Sequence, residues 1–202
     1  MTSDPSDVEL LERWRQGEKA AGSALLRRHF ATLHRFFRSK AYGSEEDLMQ
    51  ATFMACMEPS RFQGVVSFRA YLLGIARNQL LMHYRKTARD ERIDLTSKSV
   101  HDLRTSPSGA ARQRQEHELL ARALEQIPVD QQIALELAYW DDLSAPEIAV
   151  VLEIPENTVY SRLNRAKQHL RDALARLSAD PEQREGALNE LWGPRTAQRS
   201  NT

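Results

Sequence analysis

The sequence predicts an all-α fold: two small helical domains joined by a flexible linker. Apolar residues recur three or four apart in segment after segment, several of them opened by a capping residue, while strand signals are nearly absent, Val65-Val66 being too short a run. Residues 91–113 then lose this periodicity in a stretch rich in Ser, Thr, Gly and Pro, which separates a domain over 6–90 from one over 114–177.

Ser6 followed by Glu9 is a capping box, so a first helix runs to about 16 and Gly17 marks its end. A second helix spans about 20–40, with Leu25, His29, Leu33 and Phe36 on one face. After the turn at Tyr42-Gly43-Ser44, Ser44 caps a third helix to about 58, and Glu45, Glu46 and Asp47 suit the positive end of its dipole. Residues 59–64 read as a loop. Ser67 caps a fourth helix to about 86, which turns Phe68, Leu72, Ile75 and Ala76 inward.

Beyond the linker, Leu119, Leu120, Ala123 and Leu124 give one helix up to Pro128, and 131–139 give another. Ser144 and Glu147 form a second capping box ahead of Ile148, Ala149 and Leu152. Glu153-Ile154-Pro155 interrupts that helix, and Pro155 helps to start the next. There Val159, Leu163, Ala166 and Leu170 make an apolar stripe, opposite a polar face of Tyr160, Ser161, Asn164, Arg165 and Gln168. A short helix, a tight turn and a longer helix with a basic outer face make a helix-turn-helix. Residues 178–202 read as a mostly disordered polar C-terminal tail or a minor packing element, with one apolar turn at Leu188, Leu191 and Trp192.

The formal net charge of zero conceals a pattern. Residues 24–90 carry a net +6, residues 116–156 a net −9, and residues 157–176 a net +4. The last is a phosphate-binding stripe on one helix. No run approaches the roughly 18 apolar residues of a spanning helix. The acidic N-terminus has no signal-like core, so a cytoplasmic protein without membrane insertion is expected. A single cysteine, Cys56, excludes an internal disulfide and a multi-cysteine metal site, and its neighbours Met49, Phe53 and Met57 make it a core residue. No H-E-x-x-H, phosphate loop or nucleophile elbow occurs. No catalytic residue, metal site, cofactor or small-molecule substrate is therefore expected. Glu116-His117-Glu118 reads as a solvated helix start.

The stretch LSAPEIAVVLEIPENTVYSRLNRAKQHLR resembles the fourth conserved region of extracytoplasmic-function (group four) sigma factors, a branch of the sigma-seventy family. ALLRRHFATLHRFF, SEEDLMQATFMACM and RFQGVVSFRAYLLGIARNQLLMHYRK resemble the second conserved region, with Asp47, Leu48, Gln50 and Phe53 keeping its pattern. Ala51 replaces a common Glu. Glu153 departs from a position that is usually Gly. If the turn there needs a positive φ, a side chain costs about 1–2 kcal/mol.

The resemblance implies an alternative sigma factor: it binds core RNA polymerase and directs promoter-specific transcription initiation through −10 and −35 elements. For core polymerase it implies Asp47, Gln50 and Met54. For the −10 element it implies Arg61, Phe62, Gln63, Arg77, Asn78, Tyr84, Arg85 and Lys86, since a single strand is held by cations along phosphates and surfaces under unstacked bases. Phe68 and Tyr71, in the same aromatic and basic stretch, read as core. For the −35 duplex it implies Thr158, Tyr160, Ser161, Asn164 and Arg165 at bases, with Arg162 and Lys167 at phosphates, which position without specifying. An anti-sigma factor is the regulatory partner that the family adds. Two other readings compete: a mimic that sequesters an anti-sigma factor without touching DNA, and a stand-alone helix-turn-helix regulator.

Overall fold

The computed structural model describes residues 4–58, 67–90 and 110–192, and of 89–90 and 110–111 only the backbone. The loop at 59–64 and nearly all of the linker expected at 91–113 lie outside the described residues. Among those described there are nine helices and no strand. They are α1 (Asp7–Arg15), α2 (Lys19–Arg38), α3 (Glu45–Cys56), α4 (Phe68–Asp90), α5 (Ala110–Glu125), α6 (Val129–Tyr139), α7 (Ala145–Leu152), α8 (Glu156–Leu177) and α9 (Pro181–Trp192). The chain divides into two compact units, residues 1–99 with 146–155, and residues 100–145 with 156–202.

In the first unit the α1 capping box forms as expected. The Glu9 amide donates to Ser6 Oγ at 3.3 Å, and the Ser6 amide donates to Glu9 Oε2 at 2.7 Å. The Ser6 amide, and after it the Ser6 hydroxyl donating to the same oxygen at 2.9 Å, hold the Glu9 carboxyl below its usual range. The helix ends where Gly17 takes φ 97°, with Glu18 N–H donating to Arg13 O at 3.0 Å. Asp7 then ties α1 to α2: one carboxylate oxygen accepts from Arg28 at 2.6 Å and the other lies 2.7 Å from His29 Nε2. Leu10, Leu11, Leu25, Leu33, Phe36 and Phe37 are buried.

Ser44 does not cap α3 with its side chain, although Glu45, Glu46 and Asp47 do fill the first turn. Arg15 reaches the other end of α3, donating to the carbonyls of Cys56 and Glu58 at 3.0 Å each. Ser67 caps α4 through the Ala70 amide at 3.2 Å and also donates to Glu147 Oε1 at 2.7 Å. The α4 helix runs to Asp90, beyond the expected end near 86.

In the second unit α5 packs along α8 and α9, and α6 packs on α8. Leu119, Leu120, Leu124, Leu135, Leu170 and Leu174 fill the centre. The α5 helix begins at Ala110, earlier than the expected start near 115. Within the expected tail, residues 181–192 take the form of a packing element: they are a helix and bury Ala187 and Leu191 in this core. With α9 in place, His117 is not a solvated helix-start residue: its Nδ1 lies 2.6 Å from Glu190 Oε2. The spacing of Ala187, Leu188, Leu191 and Trp192 is helical, but the apolar stretch is short and flanked by polar residues, so periodicity alone carries little signal there.

Candidate nucleic-acid interface

The α8 helix sorts its residues by face. Val159, Ala166, Leu170 and Ala173 are fully buried, so the side facing the core is fixed by packing. The opposite side is open: Tyr160 is 61% exposed, and Ser161, Asn164, Arg165 and Gln168 are exposed with it. Positions 160, 164 and 168 follow one row four apart, and 161 and 165 the next, so these side chains form a continuous patch. Ser161 Oγ donates to the Thr158 carbonyl at 2.9 Å, so this exposed hydroxyl keeps its lone pairs as acceptors.

The basic residues behave in three ways. Arg165 stands exposed on the patch. Arg162 is half-buried, and its guanidinium lies 3.5 Å from the Asp130 carboxylate at the start of α6. Lys167 rests its ammonium 5.3 Å from the Tyr139 ring centre, and Arg171 lies 5.6 Å from the Trp192 ring centre. Between the start of α6 and α8 lies a cleft of about 210 Å³, lined by Asp130, Gln131, Thr158, Ser161, Arg162 and Arg165.

In the first unit the expected −10 residues scatter. Arg61, Phe62 and Gln63 lie outside the described residues. Arg77 is only 8% exposed, so it does not share the strand face the sequence assigned to it. Its place in the helix explains this: Leu73, Ala76 and Leu80, on the same side of α4, are all buried. Tyr84 is half-buried, and its hydroxyl donates to the Lys40 carbonyl at 2.7 Å, pinning α4 to the end of α2. Asn78 donates from Nδ2 to Glu153 Oε1 at 2.9 Å. Arg85 and Lys86 are exposed. Phe68 and Tyr71 are buried, as read from the sequence. Met82 is 58% exposed and lies one turn from both Asn78 and Lys86.

On α3, Asp47, Gln50 and Met54 follow each other three and four apart on the outer face, and Met54 is 64% exposed. On the inner face Cys56 is buried, and burial pushes its thiol up to about 12. A thiol so protonated is unreactive at neutral pH. Among the described residues no cluster of His, Cys, Asp or Glu could hold a metal ion, and no helix is long and apolar enough to cross a membrane.

Residues 23–90 match the family model for sigma-70 region 2, and residues 117–170 match that for sigma-70 region 4. RNA polymerase sigma factor HrpL of Pseudomonas syringae pv. syringae is 30% identical over 141 residues, covering 68% of this chain and 77% of that protein. The chain belongs to the extracytoplasmic-function branch of the sigma-70 factors. The ECF RNA polymerase sigma factor RpoE of Cereibacter sphaeroides is 29% identical over 182 residues, 83% of this chain and 97% of its own. The fold agrees. The sigma factor RpoE solved with the anti-sigma factor NepR from Bartonella quintana superposes with a TM-score of 0.61 at 23% identity, over 76% of this chain and 96% of that one.

As a sigma factor the protein acts in promoter-directed initiation, with core RNA polymerase and promoter DNA as its partners. Sigma factors are regulatory rather than catalytic. Neither the mimic nor the stand-alone regulator is favoured, because both sigma regions are present and in order. The α9 helix lies beyond the region 4 match.

Proposed function

We propose that this sigma factor divides promoter recognition between its two DNA-facing helices. The α8 patch enters the major groove at the −35 element, where Tyr160, Ser161, Asn164 and Arg165 meet base edges and Thr158 flanks them. Arg162 and Lys167 take phosphates. The observation that carries this reading is the exposed patch of Tyr160, Asn164 and Arg165, set opposite a stripe that packing holds in place. Groove-reading groups on a rigid helix are aimed by the core beneath them.

Around the −10 element, Arg85 and Lys86 track the non-template strand from the exposed end of α4. The segment containing Arg61, Phe62 and Gln63 receives an unpaired base, and Asn78 and Tyr84 support that surface. Arg77 serves the fold there rather than the strand. Asp47, Gln50 and Met54 form the contact with core polymerase. Residues 6–90 and 114–177 serve as the two working domains, with 91–113 as the tether. The protein works in the cytoplasm, carries no catalytic group and uses no cofactor. An anti-sigma factor, of the kind solved with the Bartonella quintana relative, is its proposed regulator.

Permanganate footprinting of the reconstituted holoenzyme on a promoter it transcribes tests the −10 assignment. Thymines around −10 become reactive with wild-type protein and lose that reactivity with Arg85→Ala plus Lys86→Ala. Unchanged reactivity in that variant removes these residues from strand capture.

A further inference from the structure

We propose that Asp130 is an electrostatic brake on the DNA face of α8. Its carboxylate holds the Arg162 guanidinium in an ion pair that must be surrendered before Arg162 can bind a phosphate. This rests on the reading of α8 as a duplex-DNA helix.

Asp130 Oδ2 lies 3.5 Å from Arg162, with side chains 36% and 27% exposed respectively, so the pair is partly sheltered from solvent. It sits in the cleft that also holds Thr158, Ser161 and Arg165, beside the exposed patch. Asp130 is the one carboxylate among the described residues lining that cleft. A negative charge there neutralises Arg162 and so weakens its pull on an arriving phosphate. Lys167 and Arg171, by contrast, lie over aromatic rings, which leave their positive charge intact for DNA. The arrangement lowers affinity for arbitrary duplex, where phosphate contacts supply nearly all the binding, and leaves base contacts untouched. Asp130 also lies in the first turn of α6, where a carboxylate suits the helix dipole. A purely structural acid at that position would show no coupling to Arg162 in DNA binding.

The test is a double-mutant cycle on the full chain, read by fluorescence anisotropy with a mixed-sequence DNA duplex at low salt. Arg162→Ala weakens binding. Asp130→Asn tightens it by about two- to fivefold, the range for a partly exposed pair. The tightening disappears in the Arg162→Ala background and shrinks as salt rises. Circular dichroism confirms folding, and Asp130→Ser, which retains a polar first-turn residue, repeats the measurement. The proposal is overturned if both Asp130 variants, folded, bind no tighter than wild type, if no binding appears with any variant, or if the gain persists without Arg162. If Arg162→Ala binds as tightly as wild type, Arg162 meets no phosphate and the proposal is overturned, whereas the duplex reading of this face fails only if Arg165→Ala also binds as tightly as wild type.

Discussion

The Ile154 amide donates to the Ala149 carbonyl at 3.1 Å, closing the end of α7 with Glu153 in the left-handed region at φ 54°. The Glu153 amide donates to Val150 at 3.3 Å, so both bonds of a Schellman cap are present. The sequence signals a turn here, and the family usually supplies glycine. This chain builds the same cap on a glutamate.

Glu153→Gly is therefore expected to stabilise the first unit. Relief of left-handed strain is worth about 1–2 kcal/mol, offset by the lost bond to Asn78 and by the greater freedom of an unfolded glycine. Glu153→Val, with a branched side chain in the same conformation, destabilises. Denaturant titrations of the two variants should move in opposite directions.

Gly22 lies against Trp14. A Cβ at Gly22 would sit 2.5 Å from the indole Nε1, so the Trp14 ring of α1 lies directly against the α2 backbone there. Gly22→Ala is expected to destabilise by about 1–3 kcal/mol, the usual range for overpacking. A shifted Trp14 fluorescence spectrum would mark the displaced ring. Unchanged stability would mean that the two helices separate without penalty.

Leu191 is 2% exposed in the core of the second unit. Leu191→Ala should destabilise that unit by about 2–5 kcal/mol. A truncation before Pro181 should do at least as much, since it removes Ala187 as well. A tail that packs on nothing would leave the unfolding curve of both variants where it was.

Met54 presents a 64% exposed apolar side chain beside Asp47 and Gln50. Replacing it by Glu should weaken binding to core polymerase at least severalfold while leaving thermal unfolding unchanged, because nothing is buried there to lose. Pull-down with core enzyme, set against a melting curve, separates the two effects.

Cys56 gives a pH signature. Burial pushes its folded thiol up from an ordinary value of 9.0 to about 12, so the folded state keeps its proton longer than the unfolded chain. That contribution is fully present below pH 9 and is lost as pH rises from 9 toward 12. Cys56→Ala should flatten the alkaline end of the stability curve. In the native protein the thiol should resist alkylation at pH 8 until denaturant is added.

Helix positions with an amphipathic stripe and a cap were readable in advance. Ser6 with Glu9, the stripe of Val159, Ala166 and Leu170, and the burial of Phe68 and Tyr71 all follow from local pattern and composition. What was not readable depends on contacts between elements distant in sequence. Arg77 and Arg85 look alike in a basic stretch, yet the helix turns one inward and the other out. Tyr84 looks like a stacking residue until its hydroxyl finds the Lys40 carbonyl, 44 positions away. Asp130 belongs to an acidic segment with no link to DNA until α6 sets it beside Arg162.

The most direct test of the account is in-vitro transcription with purified bacterial core polymerase, this protein, and DNA from upstream of its own gene. Initiation is expected at a discrete start that requires the added protein. Loss of that start is expected with Arg165→Ala, a variant that leaves the fold and core binding intact. A protein that neither binds core polymerase nor supports initiation on any promoter offered would contradict the account, and so would an Arg165→Ala variant that initiates as well as wild type.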